Sequence, residues 1–346
     1  MGGSTLLFLC ALAVTLSGCS ASAAAQRNIA SHLHRQLATD WSVWALLVMI
    51  VGAVWLHVYQ LGHTYIGSWD EAFHAVVALH LAQHPLQPTL YDIAALTPPT
   101  ALNWNNTHFW LHIPPVGMWS AALSMRLLGY TPFALRLPGL LFAVSGMVVT
   151  YVLGRRLYGR AAGLAGAAFT GLAPYTLLLG QGYVFGDMTD TPLLLLTPVT
   201  VLGLLLAYRS GRLRWLVLGG AGLGLCYITK GSEGIAPLGI ALALCACERL
   251  FPPEPGWHRL GLRGLAPYFG VAVVVAAPYT VYTARAFPAS YAVESHNWSV
   301  AFFSNYENWG RPLDYHVTAY LYALYGPALA LLLGAATVTL AVVALR

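Results

Sequence analysis

Five short segments hold most of the residues in this chain that could do chemistry. The first, Ser68-Trp69-Asp70-Glu71-Ala72-Phe73-His74, directly follows a long apolar run. Adjacent carboxylates at the end of such a run are costly to desolvate, and in apolar chains they tend to mark function. A carboxylate here can take the proton of an acceptor hydroxyl as a general base, or hold a divalent cation. Neighbours on a helix point about 100° apart, so Asp70 and Glu71 are expected to have different tasks. The same acids also suit the first turn of a helix, where the dipole favours them. Spacing alone leaves both readings open.

His108-Phe109-Trp110-Leu111-His112-Ile113-Pro114-Pro115 puts two histidines four apart. That is the spacing of a shared metal on a helix, but the proline pair ends any helix near His112. In Gly186-Asp187-Met188-Thr189-Asp190-Thr191-Pro192, Asp190 suits a helix start, which leaves Asp187 with the better claim to function. Lys230, within Ile228-Thr229-Lys230-Gly231-Ser232-Glu233-Gly234, is the only lysine in the chain. It falls at the outer end of a predicted span, against the bias that keeps basic residues on the cytoplasmic side. An anionic ligand such as a phosphate would offset that placement; an ion pair with Glu233 is the alternative. The last segment, 294–316, holds Glu294, Glu307-Asn308, Arg311-Pro312 and Asp314-Tyr315-His316. Its Trp298, Tyr306, Trp309 and Tyr315 suit an interfacial aromatic belt, or stacking on a sugar.

The rest of the chain is strongly apolar: 346 residues, 58% hydrophobic and 8% charged, with a mean hydropathy of +0.64. Soluble domains carry about 25% charged residues, so a soluble enzyme, a disordered tail and a disulfide scaffold are excluded. The five cysteines mostly lie in apolar runs, and Cys245 and Cys247, two apart, face different ways on a helix. The net charge of +5 does not indicate nucleic acid, because the arginines cluster between apolar runs. The pattern predicts an all-α polytopic membrane protein with about eight spans. They are placed at 42–61, 136–154, 161–180, 191–208, 214–230, 234–251, 265–284 and 317–345. Residues 70–84 and 116–128 are expected as amphipathic helices lying at the surface in the first extracytoplasmic loop. On the first of them Ala72, Val76, Leu79 and Ala82 are expected on the apolar face, with His74 and His80 elsewhere.

Arg155, Arg156 and Arg160, then Arg209, Arg212 and Arg214, then Arg249, Arg259 and Arg263 occupy every second connection, which places them in the cytoplasm. Asp70, Glu71, Asp92, Asp187, Asp190, Glu233, Glu294, Glu307 and Asp314 fall in or beside the opposite connections. The chemistry is therefore expected on the extracytoplasmic face of a cell membrane, a bacterial inner membrane being the expected setting. Residues 1–41 read as an N-terminal extension, in which Leu16-Ser17-Gly18-Cys19 resembles a lipoprotein cleavage site. Residues 42–346 read as the membrane domain.

The motifs also recur in a familiar order. An acidic pair after the first span and "HIPP" before a surface helix are followed by "FALRLPGLLFAVSGMVVTYVLGRRLYG" and "DMTDTPLLLL". Then come "GLCYITKGSEGIAPLG" and "NYENWGRPLDYHVTAYLYALYGP". This order resembles the C-superfamily membrane glycosyltransferases, in the branch of the protein O-mannosyltransferases and the lipid A aminoarabinose transferase. The resemblance covers about residues 42–335. It implies transfer of a sugar, with inversion, from a polyprenyl-phosphate donor to a lipid, glycan or protein acceptor.

By the same resemblance Asp70 is the catalytic carboxylate and Glu71 its partner. Lys230 matches the lysine of the family's Thr-Lys-Gly motif, and Asp187 and Asp190 match its second acidic motif. Arg311 and His316 match positions near the donor, and His112 and Glu307 are grouped with the substrate. Outward-facing cations for the donor phosphate are few, with Lys230, Arg285 and Arg311 the candidates. Ile113 stands where many relatives carry a lysine before Pro-Pro, and Phe73 where the lipid A enzyme has an arginine. Asn308 stands in place of a late-loop histidine. The one cofactor candidate is a divalent cation, with no ligand set assigned. Relatives usually continue through further spans, so the chain is expected to be a piece of such a protein. The competing class is a multi-pass transporter or lipid-carrier flippase. Such proteins place ionisable groups at mid-membrane on broken helices, often in internal repeats, whereas here the acids sit at span ends and no repeat is visible.

Overall fold

The structure, a computed structural model, describes residues 40–61, 65–67, 70–91, 107–183, 187–250 and 256–304. Among these the regular structure is helical, apart from one isolated antiparallel bridge between Thr89 and Phe109. The helices are α1 (Trp41–Leu61), α2 (Asp70–Gln83), α3 (Val116–Leu128), α4 (Pro132–Tyr158), α5 (Arg160–Leu172), α6 (Pro174–Gly180) and α7 (Asp187–Asp190). They continue as α8 (Pro192–Ser210), α9 (Leu213–Lys230), α10 (Ala236–Leu250), α11 (Gly261–Gly264), α12 (Ala266–Ala286) and α13 (Pro288–Ser304).

Local sequence explains the main boundaries. Thr131 caps α4, its hydroxyl accepting from the Ala134 amide at 3.2 Å, and Pro132 follows in the first turn, where its missing N–H costs nothing. Gly211, in the left-handed region at φ 63°, ends α8. Pro174 breaks α5 from α6 with a bend of 40°.

α1, α4, α8 and α12 are long and apolar enough to cross a membrane, and the bent α5–α6 pair would make a fifth span among the described residues. This is an integral membrane protein with fewer clear-cut spans in the described part than the sequence predicts. The spans expected at 214–230 and 234–251 form as helices α9 and α10, but neither passes on composition and length alone. α10, with 15 residues, reaches about 22 Å of the roughly 30 Å hydrocarbon core. α9 carries Arg214, Lys230 and four glycines. Those glycines fit α9 for protein contact: it packs between α8 and α12, and a Cβ on Gly203 of α8 would stand 2.7 Å from the Gly219 Cα. The span expected at 317–345, and all of 1–41 except its last two residues, lie outside the described residues.

α1 exposes Trp41, Trp44, Val48, Val51, Trp55 and Tyr59 along one stripe, with aromatic residues at both ends as at a membrane interface. α2 and α3 form where surface helices are predicted, and they pack on each other around Val77, Leu81, Trp110, Met118, Met125 and Leu135. The buried face of α2 differs from the expected one. His74, Val77, Ala78, Leu81 and Ala82 are buried, while Val76 is exposed. His74 is covered by Trp110, whose ring meets it edge-on at 5.4 Å.

The two ends of the bundle differ in charge. At one end Asp40 meets Arg155 at 2.7 Å and Arg160 at 3.5 Å, and Ser42 links Asp40 to the Tyr151 hydroxyl. Arg209 stacks over Trp257 at that end. α4 runs antiparallel to α1, so its first turns return to the end where α1 stops and α2 begins. There the chemistry-bearing residues collect.

Candidate functional site

Glu71 is buried in the first turn of α2 and both its oxygens are engaged. Arg136 donates from Nε to Oε1 at 2.6 Å and from Nη2 to Oε2 at 2.9 Å, and the Gly67 amide donates to Oε2 at 2.5 Å. The guanidinium, 1% exposed, also donates to the Leu61 carbonyl at 3.2 Å and the Tyr65 carbonyl at 2.6 Å. One side chain of α4 thus ties the end of α1, the link after it and the start of α2. Such a fork of donors is available to arginine and not to lysine. Gly182, at φ 74°, lies against the same carboxylate, where a Cβ would collide with Oε1. Asp70, one residue earlier, is half-buried. The two acids stand in different environments, as their spacing on a helix requires.

Lys230 ends α9 and pairs with Asp190 at 2.5 Å, both side chains being largely buried. Asp190 closes the short helix α7, which begins at Asp187 and touches α2, α3 and α9. This turn is the junction between the acidic start of α2 and the lysine. Residues 89–91 and 107–115 form no helix, and the two histidines go separate ways. His108 bonds through Nδ1 to the Tyr91 carbonyl, whereas His112 Nδ1 lies 3.2 Å from Oε2 of Glu294 on α13. The two histidines do not share a helix, in keeping with the proline pair that follows them, and each makes its own contact. His112 and Glu294 border a cavity of about 240 Å³ whose walls include Tyr227, Gly231, Tyr279, Thr283 and Tyr291.

Arg285 is exposed in the last turn of α12, two residues beyond the cavity residue Thr283. Glu307, Arg311 and His316 lie outside the described residues. No three or more His, Cys, Asp or Glu side chains converge among the described residues.

Sequence reasoning missed one member of this end of the bundle, Arg136, and gave a second, Glu294, no role. Arg136 carries the same signal that singled out Lys230, a basic residue at the wrong end of an apolar run. Glu294 was visible only as one acid among several, since its partner is 182 positions away.

Residues 112–282 match the family described as Dolichyl-phosphate-mannose-protein mannosyltransferase. The fold is similar to crystal structures of ArnT from Cupriavidus metallidurans, one in the apo state (TM-score 0.52) and one bound to undecaprenyl phosphate (TM-score 0.51). The chain has an ArnT-like polytopic membrane fold. Each comparison is at 20% identity and covers 72% of this chain and 43% of ArnT, so the chain spans less than half the length of these structures. No curated protein matches in sequence. The mannosyltransferase match includes His112, Arg136, Asp187, Asp190 and Lys230; it leaves Asp70, Glu71, Arg285 and Glu294 outside the matched stretch.

Proposed function

We propose that this protein is a membrane glycosyltransferase that moves a sugar from a polyprenyl-phosphate donor to a lipid, glycan or protein acceptor, with inversion, at the extracytoplasmic face of a bacterial inner membrane. The observation that supports it best is the gathering of Asp70, the Glu71–Arg136 pair, the Asp190–Lys230 pair and His112 at the bundle end opposite the arginine clusters. By the positive-inside rule the arginine end is cytoplasmic.

In this mechanism the acceptor hydroxyl attacks the anomeric carbon while Asp70 takes its proton. The bond from that carbon to the phosphate oxygen breaks, and the phosphate leaves with the electron pair. Attack from the side opposite the leaving group inverts the centre. Lys230 stabilises the charge on the departing phosphate, with Arg311 and Arg285 as further cations. Glu71 moves no proton: Arg136 holds it, and it fixes the turn that presents Asp70. Asp190 orients the Lys230 ammonium, Asp187 belongs to the same acidic motif, and His112, Glu307 and His316 contact substrate.

The test is sugar release from a panel of polyprenyl-phosphate sugars by reconstituted protein, wild type beside Asp70→Asn. A loss of about 100-fold or more is expected for a general base. Full activity in Asp70→Asn would move the base elsewhere, and inactive wild type with every donor would overturn the reaction class.

A further inference from the structure

We propose that Glu294, steadied by His112, binds a hydroxyl of the donor's sugar in the cavity beside Lys230. The inference rests on the glycosyltransferase reading above and names the part of the donor this cavity takes.

Glu294 is 4% exposed, and its two oxygens differ. Oε2 faces His112 Nδ1 at 3.2 Å, while Oε1 is buried and accepts no hydrogen bond among the described residues. A desolvated carboxylate oxygen with no donor is costly to keep; Glu294 lines the cavity, so a small turn of its carboxylate would offer Oε1 to a ligand hydroxyl there. The cavity's size and walls select the kind of ligand. About 240 Å³ is below the roughly 300 Å³ at which drug-sized sites begin, which suits one ring and not an extended glycan. Tyr227, Tyr279 and Tyr291 offer apolar ring faces beside the acid. Apolar faces with one directed acceptor match a pyranose or pentose ring, whose C–H faces are apolar and whose edge carries hydroxyls.

Charge decides which part of the donor enters. The Glu294 carboxylate repels a phosphate, whereas Lys230 attracts one. Gly231, the residue after Lys230, is part of the cavity wall. A donor with its phosphate at Lys230 would direct its sugar toward the cavity wall at Gly231.

The experiment compares binding of bare polyprenyl phosphate and its sugar-loaded form to the full chain in lipid nanodiscs. Wild type, Glu294→Gln and Tyr291→Leu are measured, each with its thermal unfolding temperature. Glu294→Gln is expected to lose affinity for the loaded donor by about 10- to 100-fold, the worth of a hydrogen bond to a charged group, and Tyr291→Leu to lose some through the missing ring face. Affinity for the bare phosphate should stay at the wild-type value. Equal losses for both ligands would make Glu294 a packing residue and overturn the inference, as would no loss for either. If Glu294→Gln does not fold, Glu294→Asp, which keeps the charge but draws the acceptor back from the cavity, is read on the same criterion. Wild type that binds neither ligand would instead overturn the polyprenyl-phosphate reading itself.

Discussion

Arg136 and Glu71 form a buried pair in which each charge depends on the other. Taking two ions out of water is expensive, and removing one partner strands the second. Arg136→Ala is therefore expected to destabilise the protein by about 3–5 kcal/mol, read as a lower thermal unfolding temperature in detergent. Arg136→Lys should recover little of this, because an ammonium cannot reach two carboxylate oxygens and two carbonyls together. The double variant Glu71→Gln, Arg136→Met should be more stable than Arg136→Ala; if it is less stable, the pair is not coupled as described. Gly182→Ala should also destabilise, by about 1–3 kcal/mol, since it puts a Cβ at positive φ against the Glu71 carboxylate. Sequence showed these residues unevenly. Asp70, Glu71 and Lys230 stood out as charges where apolar runs end. Arg136 met the same test but lies inside "FALRLPGLLF", where hydrophobic neighbours mask it. Glu294 and His112 meet only through the folding of α13 against the chain after Trp110, and no local spacing encodes that contact.

Among the elements, α2 shows what periodicity can and cannot supply. Its existence and limits follow from the acids at its start and the apolar run behind them. Its buried face does not, because small and apolar residues surround most of the helix and the period picks no single side. Trp110, which belongs to no helix, decides the matter by stacking on Phe73 at 5.6 Å and closing over His74. Trp110 is 1% exposed, so Trp110→Ala should cost about 3–5 kcal/mol. It should also lower transfer activity more than its stability loss explains, since it loosens the helix that carries Asp70; unchanged turnover in folded variant would contradict that. α9 teaches the opposite lesson. Its glycines weaken it as a lipid-facing span by composition, yet they allow the close approach to α8 and α12 that sets Lys230 in place.

At the scale of the whole molecule, the separation of arginines from the acid-rich end was legible from charge placement, and Asp40 is the telling exception. Burial pushes its carboxyl up, but hydrogen bonds from Ser42 and the charges of Arg155 and Arg160 outweigh this and hold it below its ordinary value of 3.8. A carboxyl lowered in the folded state stabilises above its unfolded pKa, and that contribution disappears as pH falls through the folded value. Below about pH 4 the wild type should therefore lose the advantage it holds over Asp40→Asn at neutral pH. Unfolding temperatures that keep a constant gap down to pH 3 would refute the ion pair's role. The same contact has a partner at the far end of α1, where Arg136 holds the Leu61 carbonyl. α1 and α4 are thus riveted together at both ends, about 32 Å apart along α1. Neither helix can slide or tilt against the other without breaking a rivet. In bilayers of increasing thickness the lipid, and not the pair, has to absorb the hydrophobic mismatch. Transfer rates measured across a series of acyl-chain lengths should peak near that 32 Å and fall off on both sides of it.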